Sequence, residues 1–226
     1  MNDSIAIDGP AGAGKSTIAK EIAKKMNYIY VDTGAMYRAM AVYFNRHGIH
    51  ADNEQEIDGA VNDVDITIEY IDGEQQVFLN GENVTALLRT EETGKIASKT
   101  SKYASVRTKL VELQRKLAAI SNVVMDGRDI GTTVLPDAFC KIYLTASVEA
   151  RATRRFHELN QKGVPCNFNE IKSDIQKRDY EDMNREISPL KQADDAVLLD
   201  TSDMGIEEVL ETIIKMIQSK KLEVDK

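Results

Sequence analysis

Gly9-Pro10-Ala11-Gly12-Ala13-Gly14-Lys15-Ser16 fits the pattern G-x-x-x-x-G-K-[ST]. A loop that wraps an anion with main-chain N–H groups needs backbone angles that a Cβ hinders, hence the glycines. Lys15 can reach the β- and γ-phosphates of a nucleotide, and the Ser16 hydroxyl is placed for Mg²⁺. A helix that starts at this point turns its positive end towards the phosphates. The loop implies a nucleotide and leaves the reaction open.

A second set of residues speaks to that reaction. Transfer to an acceptor that is itself a phosphate needs arginines, because planar guanidinium forks match phosphate oxygens. Arg38 follows Asp32 to Tyr37, and Arg128 lies between Asp126 and Asp129. Both come just after expected strands, at the strand ends where α/β sheets place ligands. Arg178, Asp182 and Arg185 recur at i, i+4 and i+7. That spacing alone favours a surface salt-bridge ladder over a binding site. Arg151, Arg154 and Arg155 lie on a basic helix ahead of Gly163. They read either as a solvated face or as a lid that excludes water from the triphosphate.

The elements that carry these residues alternate. Short apolar runs at 4–8, 28–31, 122–125, 141–144 and 197–199 read as core strands. Helical spacing marks 15–26, 33–46, 147–160 and 169–185. It also marks the runs from Val106 through Ile120 and from Ile206 through Ile217. Asn169 is the expected cap of the helix that reaches Arg185, with Pro189 beyond its end. Between 60 and 88 the period changes to two, with turn signals at Asp72-Gly73 and Asn80-Gly81, which predicts a small antiparallel sheet with one solvated face. The expected fold is α/β: a five-stranded parallel P-loop core sheet with helices on both faces, a small antiparallel β insertion and a helical lid.

Composition bounds the rest. The chain has 226 residues, 42% hydrophobic and 29% charged, with net charge −8. This describes a globular chain and not a disordered one. An acidic balance argues against a nucleic-acid polymer as partner. No run approaches the ~20 apolar residues of a membrane span. The first residues lack a basic signal-peptide start, and Cys140 and Cys166 form no CxxC, which together predict a cytoplasmic protein with reduced thiols. His47 and His50 read as surface-loop residues and not as zinc ligands.

Four segments now taken together, Asp8–Thr17 (DGPAGAGKST), Asp32–Arg38 (DTGAMYR), Asp126–Gly131 (DGRDIG) and Lys177–Arg185 (KRDYEDMNR), resemble the bacterial cytidylate kinases in order and spacing. The resemblance implies transfer of the γ-phosphoryl group of ATP to CMP or dCMP with Mg²⁺, by a monomeric enzyme that binds only small nucleotides. It implies that Gly9 to Thr17 and Arg155 bind ATP, with Ser16 at the metal and Lys15, Arg128 and Arg185 catalytic. Ser98, Arg107 and Asp129 match residues that read cytosine. Arg38, Arg128 and Arg185 match those that hold the acceptor phosphate, and Arg178 and Asp182 contacts near the sugar. Thr33 stands where the family also has serine, so a hydroxyl is kept. The implied organisation is a single kinase domain over 1–226. Its core spans about 1–35, 104–146 and 186–220, its monophosphate-binding region about 36–103 and its lid about 147–168. Asp126 falls in the position that holds the metal through water. A kinase for UMP or shikimate, and a nucleotide switch, are the competing expectations. A phosphate-free acceptor would leave Arg38, Arg128 and Arg185 without a task, and no guanine-reading N-K-x-D segment occurs.

Overall fold

The computed structural model describes residues 2–71 and 73–224. In chain order the elements are β1 (Ser4–Asp8), α1 (Lys15–Met26), β2 (Ile29–Asp32), α2 (Thr33–Arg46), α3 (Glu54–Ala60), β3 (Ile66–Ile71), β4 (Glu74–Leu79) and β5 (Glu82–Asn83). They continue with α4 (Glu91–Thr100), α5 (Ala104–Ile120), β6 (Val123–Gly127), β7 (Cys140–Thr145), α6 (Val148–Gln161), α7 (Phe168–Asn184), β8 (Val197–Asp200) and α8 (Ile206–Val224). The backbone groups into two compact units, one running up to Tyr30 and resuming at Ser121, the other Val31–Ile120. The helix α5, expected in the core, groups with the second unit.

The first unit is built on a parallel sheet of order β2-β6-β1-β7-β8, with β2 carrying the chain across the unit boundary. In parallel register, Ile5 pairs with Val124 and Cys140, and Ile142 with Val197. Ile5, Ile7, Val124, Ile142 and Leu144 pack with Ile18 and Ile22 of α1 and Val209, Ile213 and Ile217 of α8. Ala6 and Met125, on the opposite face, are also fully buried. Strands buried on both faces explain why β1 and β6 read as continuous apolar runs. Each fully buried Ile or Val contributes roughly 1.5–3 kcal/mol of transfer free energy, so this cluster fixes the strand ends that hold the site.

Two backbone devices set the phosphate loop between β1 and α1. Gly9 has φ 147°, and a Cβ there would lie 1.9 Å from the Leu144 carbonyl oxygen. No other residue lets the chain leave the sheet at that point. At the other end of α1, Asn27 takes φ 55°, and Tyr28 N–H donates to the Ala23 carbonyl at 2.8 Å. This left-handed cap stops the helix and turns the chain into β2.

The second unit places α2 against α4, α5 and the antiparallel sheet. Its core includes Met36, Met40, Phe44, Ile57, Val106 and Leu110. The sheet has order β3-β4-β5, with Ile66 opposite Leu79 and Ile68 opposite Val77. Asn80 and Gly81 turn β4 into β5 with φ 48° and 83°. Asp72 lies outside the described residues, so its turn is known only from Gly73, at φ 78°.

Several expectations need correction. Asn167, not Asn169, caps α7: its side chain accepts from Asn169 N–H and Glu170 N–H at 2.8 and 3.3 Å. Ile120 and Ile206 continue the apolar period of their helices but are 77% and 59% exposed, because each lies at a helix end beyond the packed face. Tyr70 and Ile71 are likewise exposed at the tip of β3. Short helices α3 and α4 were not expected; their few apolar positions give a weak period. The polar tail from Lys220 is helical through Val224, with Lys221 Nζ 3.1 Å from Asp3. Asp225 and Lys226 lie outside the described residues.

Candidate active site

The loop from Gly9 to Gly14 runs ahead of α1, whose first turn carries Lys15 and Ser16. Gly12 and Gly14 take φ 77° and 90°, with Gly14 at the helix cap. Ala13 and Lys15 are buried, while Ser16 and Thr17 are exposed in the first turn of α1. Lys15 Nζ donates to the Pro10 carbonyl at 2.7 Å. Burial, reinforced by the Arg128 charge, pulls its ammonium well below the usual lysine range, against Asp126 and Asp8. A bound phosphate would supply the missing countercharge.

Ser16 Oγ donates to Asp126 Oδ2 at 2.8 Å, and the Tyr30 hydroxyl donates to Asp126 Oδ1 at 2.9 Å. With its proton committed to Asp126, Ser16 Oγ keeps its lone pairs available for a cation. A hydroxyl beside a carboxylate is a hard oxygen pair of the kind Mg²⁺ uses, with nucleotide phosphates and water completing the shell. The residues fit the ion.

The turn after β6 carries Arg128 and Asp129. Arg128 Nε donates to Asp182 Oδ2 of α7 at 2.9 Å. Burial works against the Arg128 cation, yet Asp182 at its side holds it above the usual range. The Asp182 carboxyl is desolvated, which pushes it up, but Arg128, Arg178 and Arg185 outweigh this and keep it low. Arg185 lies 3.5 Å from Asp129 and 3.9 Å from Asp182. Its Nε donates to the Ser188 carbonyl at 2.6 Å, which fixes the side chain from behind. The ladder on α7 is therefore not a surface ladder: Asp182 is 8% exposed and binds Arg128, while Arg178 alone of the three is exposed.

In the second unit, Thr33 opens α2 as a buried residue, and Asp32 Oδ1 caps the helix by accepting from Ala35 N–H at 2.9 Å. Arg38 Nη2 donates to Asp32 Oδ2 at 2.9 Å. Arg107 is buried, donates to the Ser101 carbonyl at 3.2 Å and lies 5.6 Å from the centre of the Tyr37 ring. Ser98 is half-buried on α4, and its carbonyl accepts from Ser101 Oγ.

The three arginines of α6 part company. Arg151 is buried: it donates to Asp179 at 2.6 Å, to the Ala146 carbonyl at 2.9 Å and to the Ala11 carbonyl of the phosphate loop at 3.0 Å. Arg154 donates to the Thr201 side chain and carbonyl. Arg154 is half-buried, whereas Arg155 is exposed and paired with Glu158 at 2.8 Å. A basic lid face thus reduces to Arg155, the others being ties within the unit. The sequence assigned no role to Asp8, Asp32 or Asp179, and Arg151 read there as part of a basic face or lid and not as a buried tie. Arg151 and Asp179 lie 28 residues apart, so no periodic signal links them. Asp8, at the end of an apolar strand, did carry a signal: a charge where the strand pattern calls for an apolar residue.

A parallel sheet that delivers a glycine loop into a helix, with a lysine in the loop and arginines clustered behind the next strand, defines a P-loop kinase-type protein. The family model described as Cytidylate kinase matches residues 5–219. The chain belongs to that family. It is 49% identical to the cytidylate kinase of Lactobacillus johnsonii, over 96% of this chain and 94% of that one. It is 48% identical to the cytidylate kinase of Caldicellulosiruptor bescii, over 94% of both. A solved structure of an uncharacterized protein from Eubacterium ventriosum aligns with TM-score 0.54 at 13% identity, covering 96% of this chain and 99% of that one, a likeness of fold.

Proposed function

We propose that the protein transfers the γ-phosphoryl group of ATP to CMP or dCMP, giving ADP and CDP or dCDP. The observation that carries this reading is that a P-loop lysine and an Arg128–Asp182–Arg185–Asp129 cluster share one unit, in a chain matching the family over 5–219. Gly9 to Thr17 bind the donor phosphates, with Lys15 as their principal countercharge. Mg²⁺, held with Ser16 and Asp126, would polarise the donor phosphate oxygens. Arg38, Arg128 and Arg185 bind the acceptor phosphate; Arg178 and Asp182 act near its sugar. Asp129, Ser98 and Arg107 read cytosine, and Thr33 offers a hydroxyl to the acceptor.

The chemistry needs no strong base. A nucleoside monophosphate has a second pKa of about 6 and is largely ionised at neutral pH, so its oxygen is already a nucleophile. Catalysis is then positioning and charge stabilisation in an in-line transfer. Arg128, whose proton is held firmly by Asp182, stays cationic and screens the two anions from each other. Cytosine offers an exocyclic amine to a carboxylate such as Asp129, whereas uracil would place a carbonyl against it. The helix α6, with Arg155, acts as the lid that keeps water from accepting the phosphoryl group. The enzyme works as a cytoplasmic monomer on free nucleotides; no helix among the described residues is long and apolar enough to cross a membrane. In a reaction with γ-labelled ATP and CMP, the label should appear in the β-phosphate of CDP. Label released as inorganic phosphate would contradict transfer.

A further inference from the structure

Asp8 ends β1, one residue before the phosphate loop, and is 5% exposed. It sits in register with Gly127 on one side and Tyr143 on the other. One carboxylate oxygen accepts the Ile130 N–H at 2.8 Å, and the other accepts the Gly131 N–H at 2.7 Å. Those two amides directly follow Asp129 and open a single π-helical turn over Ile130–Val134. The approach is close: a Cβ on Gly131 would lie 3.4 Å from Asp8 Oδ2 and 3.1 Å from Cδ of Lys141. A carboxylate with no hydrogen to donate is the side chain that satisfies two convergent buried N–H groups at once.

We propose that Asp8 is a positioning residue for acceptor recognition: its carboxylate ties the turn bearing Arg128 and Asp129 to the strand that delivers the phosphate loop. This rests on the cytidylate kinase reading above. It assigns Asp8 to the geometry of base reading and not to donor binding. The amide form of the side chain would present an NH₂ group to one of the two N–H donors, lose that bond and release one end of the turn.

The setting is charged on several sides. Burial pushes the Asp8 carboxyl up to about 6, opposed by the two amide bonds and by Lys15, and reinforced by Asp129. Arg128 and Tyr143 also feel its charge, and Lys141 packs beneath Gly131.

The test compares wild type and Asp8→Asn with ATP against CMP and UMP. The expected result is a KM for CMP raised about tenfold and a CMP-over-UMP ratio of kcat/KM lowered by a similar factor, with the KM for ATP held within about twofold. An unchanged CMP KM and ratio, or an equal rise in both KM values, overturns the proposal. A wild type that ignores CMP overturns the functional reading itself, before the variant is considered. If Asp8→Asn does not fold, the wild-type amide resonances decide. Ile130 and Gly131, whose N–H groups Asp8 holds at 2.8 and 2.7 Å, should exchange their amide hydrogens slowly with solvent. Fast exchange at both amides overturns the tie.

Discussion

Asp129 directly follows Arg128 and lies 3.5 Å from Arg185, so its carboxylate is held beside the guanidinium proposed to bind the acceptor phosphate. The same group is proposed to accept from the cytosine amine. Asp129→Asn should therefore lower the CMP-over-UMP ratio of kcat/KM by about ten- to a hundredfold, since discrimination rests on a bond that uracil cannot make. Steady-state kinetics with both acceptors measure it, and an unchanged ratio removes Asp129 from base reading. Arg151 carries a different burden. It is 4% exposed and joins Asp179, Ala146 and Ala11. Removing it leaves Asp179 buried without its cation, so Arg151→Met should cost about 3–5 kcal/mol in urea unfolding. A loss below about 1 kcal/mol would place the pair among weak surface contacts. At this scale the loop pattern stands out in the sequence, because its residues are contiguous. The sequence ranked the α6 arginines poorly, because burial of Arg151 depends on partners from distant segments.

The helix α6 is where lid function is proposed, and Arg155 is its exposed arginine, paired with neighbouring Glu158. Arg155→Ala should lower turnover with little change in CMP affinity, because an exposed i, i+3 pair adds little to stability. Single-turnover kinetics check this: an unchanged phosphoryl-transfer rate contradicts it. Element type and order were legible for the parallel strands and long helices, whose burial writes a clear period into the sequence. The ends were less so. Asn167 and Asn169 are both good caps, and only the chain entry at Phe168 decides between them. Ile120 and Ile206 keep the period where the opposing surface has stopped. The short helices α3 and α4 owe their place to packing in the second unit, with Ile57 and Ala97 their buried apolar contacts.

For the whole molecule, the net charge of −8 surrounds a site that must attract two anions, and the arginines and Lys15 supply the local positive field. Two buried carboxylates then respond oppositely to pH. Asp182 is held low, so its contribution to stability is present above about pH 4 and lost as pH falls through its folded-state pKa. Asp8 is raised to about 6, so its folded form takes up a proton before the unfolded form does. Its contribution is greatest at low pH and lost as pH rises through 6. The melting temperature of wild type minus that of Asp8→Asn should accordingly fall between about pH 4 and pH 7. A gap that widens over that range contradicts the assignment. The expected monophosphate-binding region stops at about residue 103, whereas the second compact unit runs to Ile120, because α5 reads as a core helix until its packing partners α2 and α3 are known. The most direct measurement of the central claim is ADP release with Mg-ATP against CMP, dCMP, UMP, AMP, GMP and no acceptor. Fast release confined to CMP and dCMP is the predicted result; equal release with UMP, or release that needs no acceptor, would contradict it.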